Sequence, residues 1–195
     1  MSDGLRPTLW RTCRVIASET RLRLLWLLFQ NDGLCVADLA HRSGISEQNA
    51  CNQLRALSAR GLITPHRKKL NVFYRPDPNP EVADAETLLV ALHGCCAAKM
   101  PFPTVIRQAT AFTHARRIEI ACALNGRPAS FGALLEQTGI SAAALSLHLS
   151  KLKDRGFVKL SGGKYRLRTP SNSFGRVLQK IVRSYPVPEK RRVEK

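Results

Sequence analysis

The pattern of hydrophobic and polar positions predicts a mainly helical chain with two short hairpins. Between Leu9 and Phe29 the apolar residues recur every three or four positions, with a break near Ser18. This spacing predicts two consecutive helices. Further on, two β-prone runs at 62–64 and 71–74 flank a basic turn, which predicts a hairpin with a charged tip. We therefore expect a mainly α fold with small β-hairpin wings.

Between the first helices and the hairpin, the sequence predicts a short helix, a tight turn and a longer helix. "CVADLAHR" has the spacing of the short helix, and the turn falls at "SG", residues 43–44. Ser46 is placed to cap the longer helix, because its hydroxyl can accept a hydrogen bond from an unpaired backbone amide of the first turn. We expect this helix to end at Gly61. Ala50, Leu54 and Leu57 share its apolar face.

The same order of elements returns later in the chain. "GISEQNACNQLRALSARGLI" at 44–63 and "GISAAALSLHLSKLKDRGFV" at 139–158 are offset by 95 residues and agree at seven of twenty positions. What repeats is turn chemistry and apolar spacing, while the polar letters differ. The second copy predicts a helix at Ser141–Arg155 and a hairpin, "FVKLSGGKYRLR", whose Gly162 and Gly163 suit a two-residue turn.

This repeat divides the chain into two units. The remaining helices of the second copy are expected at 105–114, 117–124, 131–137 and 174–185. The expected divisions are a first unit at 1–78, an acidic linker at 79–103 with a helix at 81–98, a second unit at 104–185 and a basic tail at 186–195.

Charge adds a function class to this picture. The chain has 31 Lys and Arg against 14 Asp and Glu, a net charge of +17. The excess lies within the periodic segments, with +7 in 1–76 and +11 in 104–183, whereas 77–103 carries −3. A basic surface of this size favours a polyanionic partner. Double-stranded DNA is therefore the expected partner.

The order helix, short helix, turn, helix and hairpin is that of a winged helix-turn-helix, whose second helix enters the major groove. "ETRLRLLWLL", "GLCVADLAHRSGISEQNACNQLRALSARGLI" and "VFYR" resemble the ArsR/SmtB group of bacterial and archaeal repressors, nearly completely over 9–76. "ARRIEIACAL", "LLEQTGIS" and "LSLHLSKLKDRGFV" extend a looser resemblance to the second copy. The resemblance implies two winged helices in one chain.

The resemblance carries further expectations. Family members typically act as homodimers that place two reading helices on a pseudo-palindromic operator and leave DNA when a metal or another ligand binds. A fused pair would supply both helices covalently. The family's helix after the wing builds the dimer interface, so helix 81–98 is either an internal contact between the units or an amphipathic spacer.

The chain departs from the metal-sensing members of the family. They resemble "ELCVCDL" where this chain has "GLCVADL", so Cys35 remains but Ala37 stands at the second thiolate position. A single thiolate is a poor site for a soft metal. Cys13 is the other candidate to approach Cys35, but packing is the commoner role for a small buried Cys. We therefore expect no metal and no cofactor, and an effector ligand is left unassigned.

The candidate DNA contacts differ between the two copies. In the first, the reading helix carries donors and acceptors that suit base edges, and the wing carries cations. In the second, short side chains replace most of these, and lysines suited to phosphates follow. The first set is Ser46, Glu47, Gln48, Asn49, Asn52, Gln53, Arg55, Arg67, Lys68 and Lys69. The second set is Ser141, Ser146, His148, Lys151, Lys153, Lys159, Lys164 and Arg166.

Competing functions follow from the same letters. Winged helices also bind proteins, and Leu147 is unusual at a groove-reading position, so a protein-interaction module in a larger assembly is the alternative to a DNA-binding regulator, itself expected to be a repressor. Leu147 and nearby Ala residues would also suit thymine methyl groups. The chain contains none of the phosphate-loop, dinucleotide, zinc-protease or serine-hydrolase motifs, so we expect no enzyme.

Short apolar runs and the absence of a signal-peptide pattern predict a cytoplasmic protein without membrane contact. Further self-association is left open.

Overall fold

A computed structural model describes residues 8–68 and 71–185, and the first half of this described part contains five helices and three short strands. The helices are α1 (Leu9–Ile16), α2 (Glu19–Phe29), α3 (Val36–Ser43), α4 (Glu47–Ser58) and α5 (Ala85–Ala97). The strands are β1 (Leu34–Cys35), β2 (Thr64–Lys68) and β3 (Asn71–Arg75), which form one antiparallel sheet in the order β1, β3, β2.

The second half repeats this plan with five helices and a two-stranded hairpin. The helices are α6 (Phe102–Ala109), α7 (Ala115–Ala123), α8 (Phe131–Thr138), α9 (Ala142–Asp154) and α10 (Ser173–Ser184), with a 3-10 turn at Thr110–Phe112 after α6. The strands are β4 (Val158–Ser161) and β5 (Lys164–Leu167). The expected fold class, mainly α with tandem winged helix-turn-helix units, is confirmed.

The offset of 95 residues holds in the local structure as well as in the letters. Gly44 and Gly139 both end the short helix in the left-handed region, with φ of 69° and 63°. This region is strained for other residues, which explains why both copies keep glycine there. The strand residue Leu34 pairs with Tyr74, and Ala129, 95 positions later, forms an isolated bridge with Tyr165. The two copies are therefore one structural unit used twice.

Helix and strand boundaries follow the expected signals with a few corrections. Ser46 caps α4 as expected, since its hydroxyl accepts from the Asn49 amide at 3.3 Å, but α4 ends at Ser58, earlier than expected. Helix α6 begins before the expected position because Pro103 is tolerated in a first turn, where the amides have no helical partner. Helix α5 begins only at Ala85, because the preceding Asp84 has a positive φ of 63°.

The first wing also differs from the expectation. Arg67 and Lys68 were expected at the tip of a turn, but both lie in strand β2, paired with Val72 and Asn71 of β3. Because each cation occupies a rung of the ladder, its position is fixed by the sheet. The third expected tip residue, Lys69, lies outside the described residues. In the second wing Gly162 and Gly163 do form the turn, with φ of 56° and 69°.

The two units share a continuous apolar core. Helix α5 packs against α10, its counterpart in the second unit, and α1 packs against α6 in the same way. At this interface between the two units, the rings of Trp26 and Phe102 lie 5.5 Å apart edge to face. The Leu9 amide donates to the Tyr185 hydroxyl there at 2.9 Å. Contacts between equivalent elements are the arrangement of a two-fold symmetric dimer. None of the helices in 8–68 and 71–185 is long and apolar enough to cross a membrane.

Candidate nucleic-acid interface

Helix α4 buries one face and exposes a polar one. Ala50, Leu54 and Leu57 are at most 1% exposed, which fixes the rotation of the helix against the core. The opposite face leaves most of the first unit's expected reading residues exposed. These are Ser46, Glu47, Gln48, Asn49, Asn52 and Arg55.

The polar side chains of α4 are joined by hydrogen bonds along the helix. Gln53 Nε2 donates to Asn49 Oδ1 at 2.9 Å, and Gln48 Nε2 lies 3.5 Å from Asn52 Oδ1. Arg21 of α2 donates to Gln53 Oε1 at 2.8 Å, so Gln53 is held half-buried against the preceding helix. Gln53 therefore holds the side chain of Asn49 in place through this hydrogen bond. Gln48 and Asn52 have only one weak contact, with each other, so their remaining donors and acceptors are available to a ligand.

Helix α9 presents a different surface at the same register. Leu145, Leu149 and Leu152 are buried against the second unit. Ser141 precedes the helix without a side-chain cap, and Ser146 is exposed. The exposed position matching Asn52 is Leu147, at 56%.

The structure corrects the expectation for His148. Its side chain is only 8% exposed, and its ring packs against that of His114, with centroids 4.7 Å apart. His148 matches Gln53 in the repeat, and both positions face the helix that precedes the short helix. A buried imidazole does not reach a base edge, so His148 leaves the set of candidate contacts.

The cations of α9 and of both wings remain on the surface. Arg67 and Lys68 are exposed on β2, Lys153 is exposed near the end of α9, and Lys151 is half-buried. In the second wing the exposed cations are Lys159, Lys164 and Arg166. Lys159 and Arg166 are paired across the hairpin, so two positive charges stand side by side on one ladder rung.

Acidic side chains do not compensate these charges. Within 8–68 and 71–185, ion pairs join Arg23 with Glu19 and Arg75 with Asp32, and His66 Nε2 lies 3.1 Å from Asp77 Oδ2. None of these contacts involves Arg55, the lysines of α9 or five of the wing cations, which are Arg67, Lys68, Lys159, Lys164 and Arg166, whereas Arg75 at the end of β3 is paired. Adjacent uncompensated positive charges repel one another, and an external anion relieves that repulsion.

The cysteines of the first unit have structural positions. Cys35 Sγ accepts from the Asp38 amide at 3.5 Å and caps α3. Cys13 is fully buried, and burial raises the pKa of its thiol well above the ordinary range. In the part of the chain that the structure describes, no three His, Cys, Asp or Glu side chains are grouped to hold a metal ion.

Two contacts at the reading helices were not foreseen from the sequence, Arg21 with Gln53 and His114 with His148. The repeat contained a signal for both, because Gln53 and His148 occupy the same register. The hydrophobic periodicity did not show that a neighbouring helix covers the side of each reading helix on which Gln53 and His148 lie.

Comparisons with known proteins agree with this geometry. Residues 18–64 match the family model described as winged helix-turn-helix DNA-binding, and residues 114–159 match the model described as bacterial regulatory protein, arsR family. The two expected winged helix-turn-helix units are thereby confirmed, and the second is similar to the arsR family. The arsR-family model falls on the second unit, although the quoted motifs resemble the family more fully in the first.

Two curated proteins are similar to parts of the chain. The arsenic resistance transcriptional regulator ArsR1 of Pseudomonas putida is 31% identical over 86 residues, which are 44% of this chain and 66% of that protein. The HTH-type transcriptional regulator YgaV of Escherichia coli is 43% identical over 49 residues, 25% of this chain and 50% of that protein. The chain thus spans between half and just under two thirds of the length of these relatives.

Proposed function

We propose that this chain, a tandem pair of ArsR-like winged helix-turn-helix units, is a DNA-binding transcriptional regulator that holds one duplex with both units. The observation that carries this proposal is the repeated basic surface, in which each unit exposes a reading helix and a wing. The wing cations Arg67, Lys68, Lys159, Lys164 and Arg166 have no acidic partner among the described residues. A polyanion is the partner that such a surface fits.

The residue roles follow from chemistry and exposure. In the first unit Gln48, Asn52 and Arg55 present the groups that hydrogen-bond to adenine and guanine edges. Lys and Arg of α9 and the wings neutralise phosphates, which fixes position without selecting sequence. The proposed contact set is the predicted one without His148: Ser46, Glu47, Gln48, Asn49, Asn52, Gln53, Arg55, Arg67, Lys68, Lys69, Ser141, Ser146, Lys151, Lys153, Lys159, Lys164 and Arg166.

The remaining parts of the proposal concern organisation and mode of action. We propose units at 1–78 and 104–185, joined by the acidic linker 79–103 and followed by the tail 186–195. The contact of α5 with α10 supports a two-fold pair of reading helices within one chain. Repression is the proposed mode of action and the cytoplasm the proposed location. In vitro transcription from a template carrying the selected site tests the repression.

The decisive experiment is selection of duplexes from a random pool by the full chain, repeated at two salt concentrations. We expect retention of duplex DNA, an enriched motif, and affinity that falls steeply with salt, with a slope near −0.9 for each phosphate neutralised. A chain that retains no duplex even at low salt would contradict the proposal.

The alternative function is a protein-interaction module, and the second unit contains the observation that favours it. Leu147 on α9 and Leu160 on β4 are 56% and 51% exposed, and exposed apolar side chains suit a protein surface. The same selection separates the two functions, because a protein-binding module of this kind would show no sequence preference among retained duplexes.

A further inference from the structure

Two histidines of the second unit are packed against each other beneath the reading helix. His148 of α9 is 8% exposed, and its Nδ1 has no hydrogen-bond partner among the described residues. Its ring lies 4.7 Å from that of His114, at an interplanar angle of 38°. Leaving a buried nitrogen unpaired costs about 1 to 3 kcal/mol. The contact is therefore tolerated at a cost in stability, which suggests a role other than simple packing.

His114 makes a hydrogen bond that only the neutral imidazole supports. It is the residue before α7, and its Nδ1 accepts from the Arg116 amide at 3.1 Å. Accepting requires a lone pair on Nδ1, and in the imidazolium both ring nitrogens carry protons. Protonation at Nδ1 therefore removes the cap of α7 and turns an attractive contact into a repulsive one.

The charges facing this pair are all positive. Arg116 and Arg117 lie on α7, Arg14 on α1 and Lys151 on α9. Among the described residues no carboxylate lies within 4.0 Å of either imidazole. Burial lowers the pKa of both histidines, and His114 faces Arg117, Arg116 and Arg14, which lower its pKa further. For His148 the neighbouring His114, Arg117, Arg116 and Lys151 act in the same direction.

At the register of His148 the first unit has a residue that does not titrate. Its Gln53 occupies the position of His148 and accepts from Arg21 at 2.8 Å, a bond that does not change at moderately acidic pH. A proton-dependent change at this register of the reading helix is thus confined to the second unit, where α7 packs directly against α9.

We propose that His114 and His148 are positioning residues that seat α9 against α7 only while both imidazoles are neutral, so that mild acidification weakens the grip of the second unit on DNA. This inference rests on the proposed function. The sign follows from linkage, since each folded-state pKa lies below the ordinary histidine value of about 6.5. The packing of α9 against α7 is therefore complete above about pH 6.5 and is lost as the pH falls through the folded-state pKa values.

The first test measures the affinity of the full chain for a fixed duplex by fluorescence anisotropy at constant ionic strength. As the pH falls from about 7.5 through the folded-state pKa values, which the NMR titration described below locates, we expect affinity to fall at least about fivefold. A surface on which histidines simply gain charge near phosphates would bind DNA more tightly on acidification. Unchanged or rising affinity would therefore overturn the inference.

The matched control is the double variant His114→Asn with His148→Phe. Asn supplies a capping oxygen that does not titrate in this range, and Phe keeps an aromatic ring in the buried site without an unpaired nitrogen. We expect its affinity to change less than about twofold over the same pH range. A loss equal to that of the unmodified chain would assign the pH dependence to other groups and refute the role of the pair.

A second measurement needs no DNA and no variant that folds poorly. The imidazole C–H signals of the full chain are followed by NMR, and we expect those of His114 and His148 to titrate below about pH 6.5 while α9 amide signals shift in step. Titration of either residue at or above that value would overturn the inference. A chain that binds no duplex at any pH would refute the proposed function, and this titration would still decide whether the pair seats α9.

Discussion

At the scale of single residues, Arg117 is the buried charge on which the second unit depends. It is 7% exposed, and its guanidinium donates to the Ala111 carbonyl at 2.7 Å and to the Thr113 hydroxyl at 2.5 Å. A third bond reaches the carbonyl of Thr110 at 3.2 Å. The acceptors belong to the 3-10 turn and its exit, so one side chain holds the bend between α6 and α7.

Replacing this side chain tests that role. Arg117→Met keeps the length and apolar stem but leaves the carbonyls of Thr110 and Ala111 without this donor, so we expect a loss of about 2 to 4 kcal/mol in the free energy of unfolding. Urea unfolding followed by circular dichroism measures it. Arg116→Ala, an exposed change on the same helix, is the control and should stay within about 0.5 kcal/mol. Equal stability of the two variants would contradict the role of Arg117.

At the scale of secondary structure, most of each unit was predictable because the chain marks its own turns. Ser46 begins α4, and Gly162 with Gly163 forms the second hairpin turn, because each residue satisfies a local backbone requirement. Strand β1 was missed, since two residues, Leu34–Cys35, are too short for a periodic signal. The strand exists because distant β3 offers it a partner.

The candidate site was predictable only as far as the local sequence pattern determines it. The exposed polar face of α4 follows from its buried stripe, which the spacing of Leu54 and Leu57 already indicates. The burial of His148 does not follow from spacing, because it depends on α7, which lies some thirty residues earlier in the chain. Local patterns set the element, and non-local packing decides which edge of it is covered.

The first wing provides a prediction at the same scale. Arg67 and Lys68 are exposed on β2, and Lys69 follows outside the described residues. Replacing all three with Ala should weaken binding to any duplex and reduce the magnitude of the salt slope by up to about three units, if each neutralises one phosphate. Filter binding across a salt series measures the slope.

The control for the wing removes the same charge elsewhere. Lys99, Lys180 and Arg183 are exposed outside the wings and reading helices, and changing these three to Ala lowers the net charge equally. We expect a smaller change in slope, because distant charges act only through the screened field of the whole molecule. Equal slopes for the two triple variants would exclude specific phosphate contacts by the first wing.

At the scale of the whole molecule, the shared core predicts that the two units unfold together. Phe102 of α6 packs edge to face on Trp26 of α2, and both are partly buried and pack against the apolar cluster that runs through the two units. Phe102→Ala should lower the free energy of unfolding by about 1 to 3 kcal/mol. Tryptophan fluorescence and far-ultraviolet circular dichroism should report one common, shifted midpoint.

The control for Phe102→Ala is a residue exposed on the second wing. Leu160 is 51% exposed, so Leu160→Ala should leave the midpoint unchanged to within about 0.5 kcal/mol. Two separate transitions in the unmodified chain, or a Phe102→Ala effect limited to one of them, would show that the units fold independently. The contact between the units would then contribute little to stability.

The last prediction is that the two units divide the work of DNA recognition. Helix α4 exposes Gln48, Asn52 and Arg55 on its polar face, whereas α9 exposes Leu147 at the register of Asn52. Changing the three α4 residues to Ala should relax sequence preference, with each well-made bidentate contact accounting for about 1 to 3 kcal/mol of discrimination. Affinity for random duplexes should fall less.

The matched change in the second unit should have the opposite character. Replacing Lys151, Lys153 and Lys164 with Ala removes charges suited to phosphates, so all duplexes should bind more weakly by a similar factor while the preferred sequence is unchanged. The competing outcome is that Leu147 contacts thymine methyl groups and the second unit selects sequence as well. Selection from a random pool decides between them: one information-rich half-site supports the division of labour, and two half-sites of equal strength would refute it.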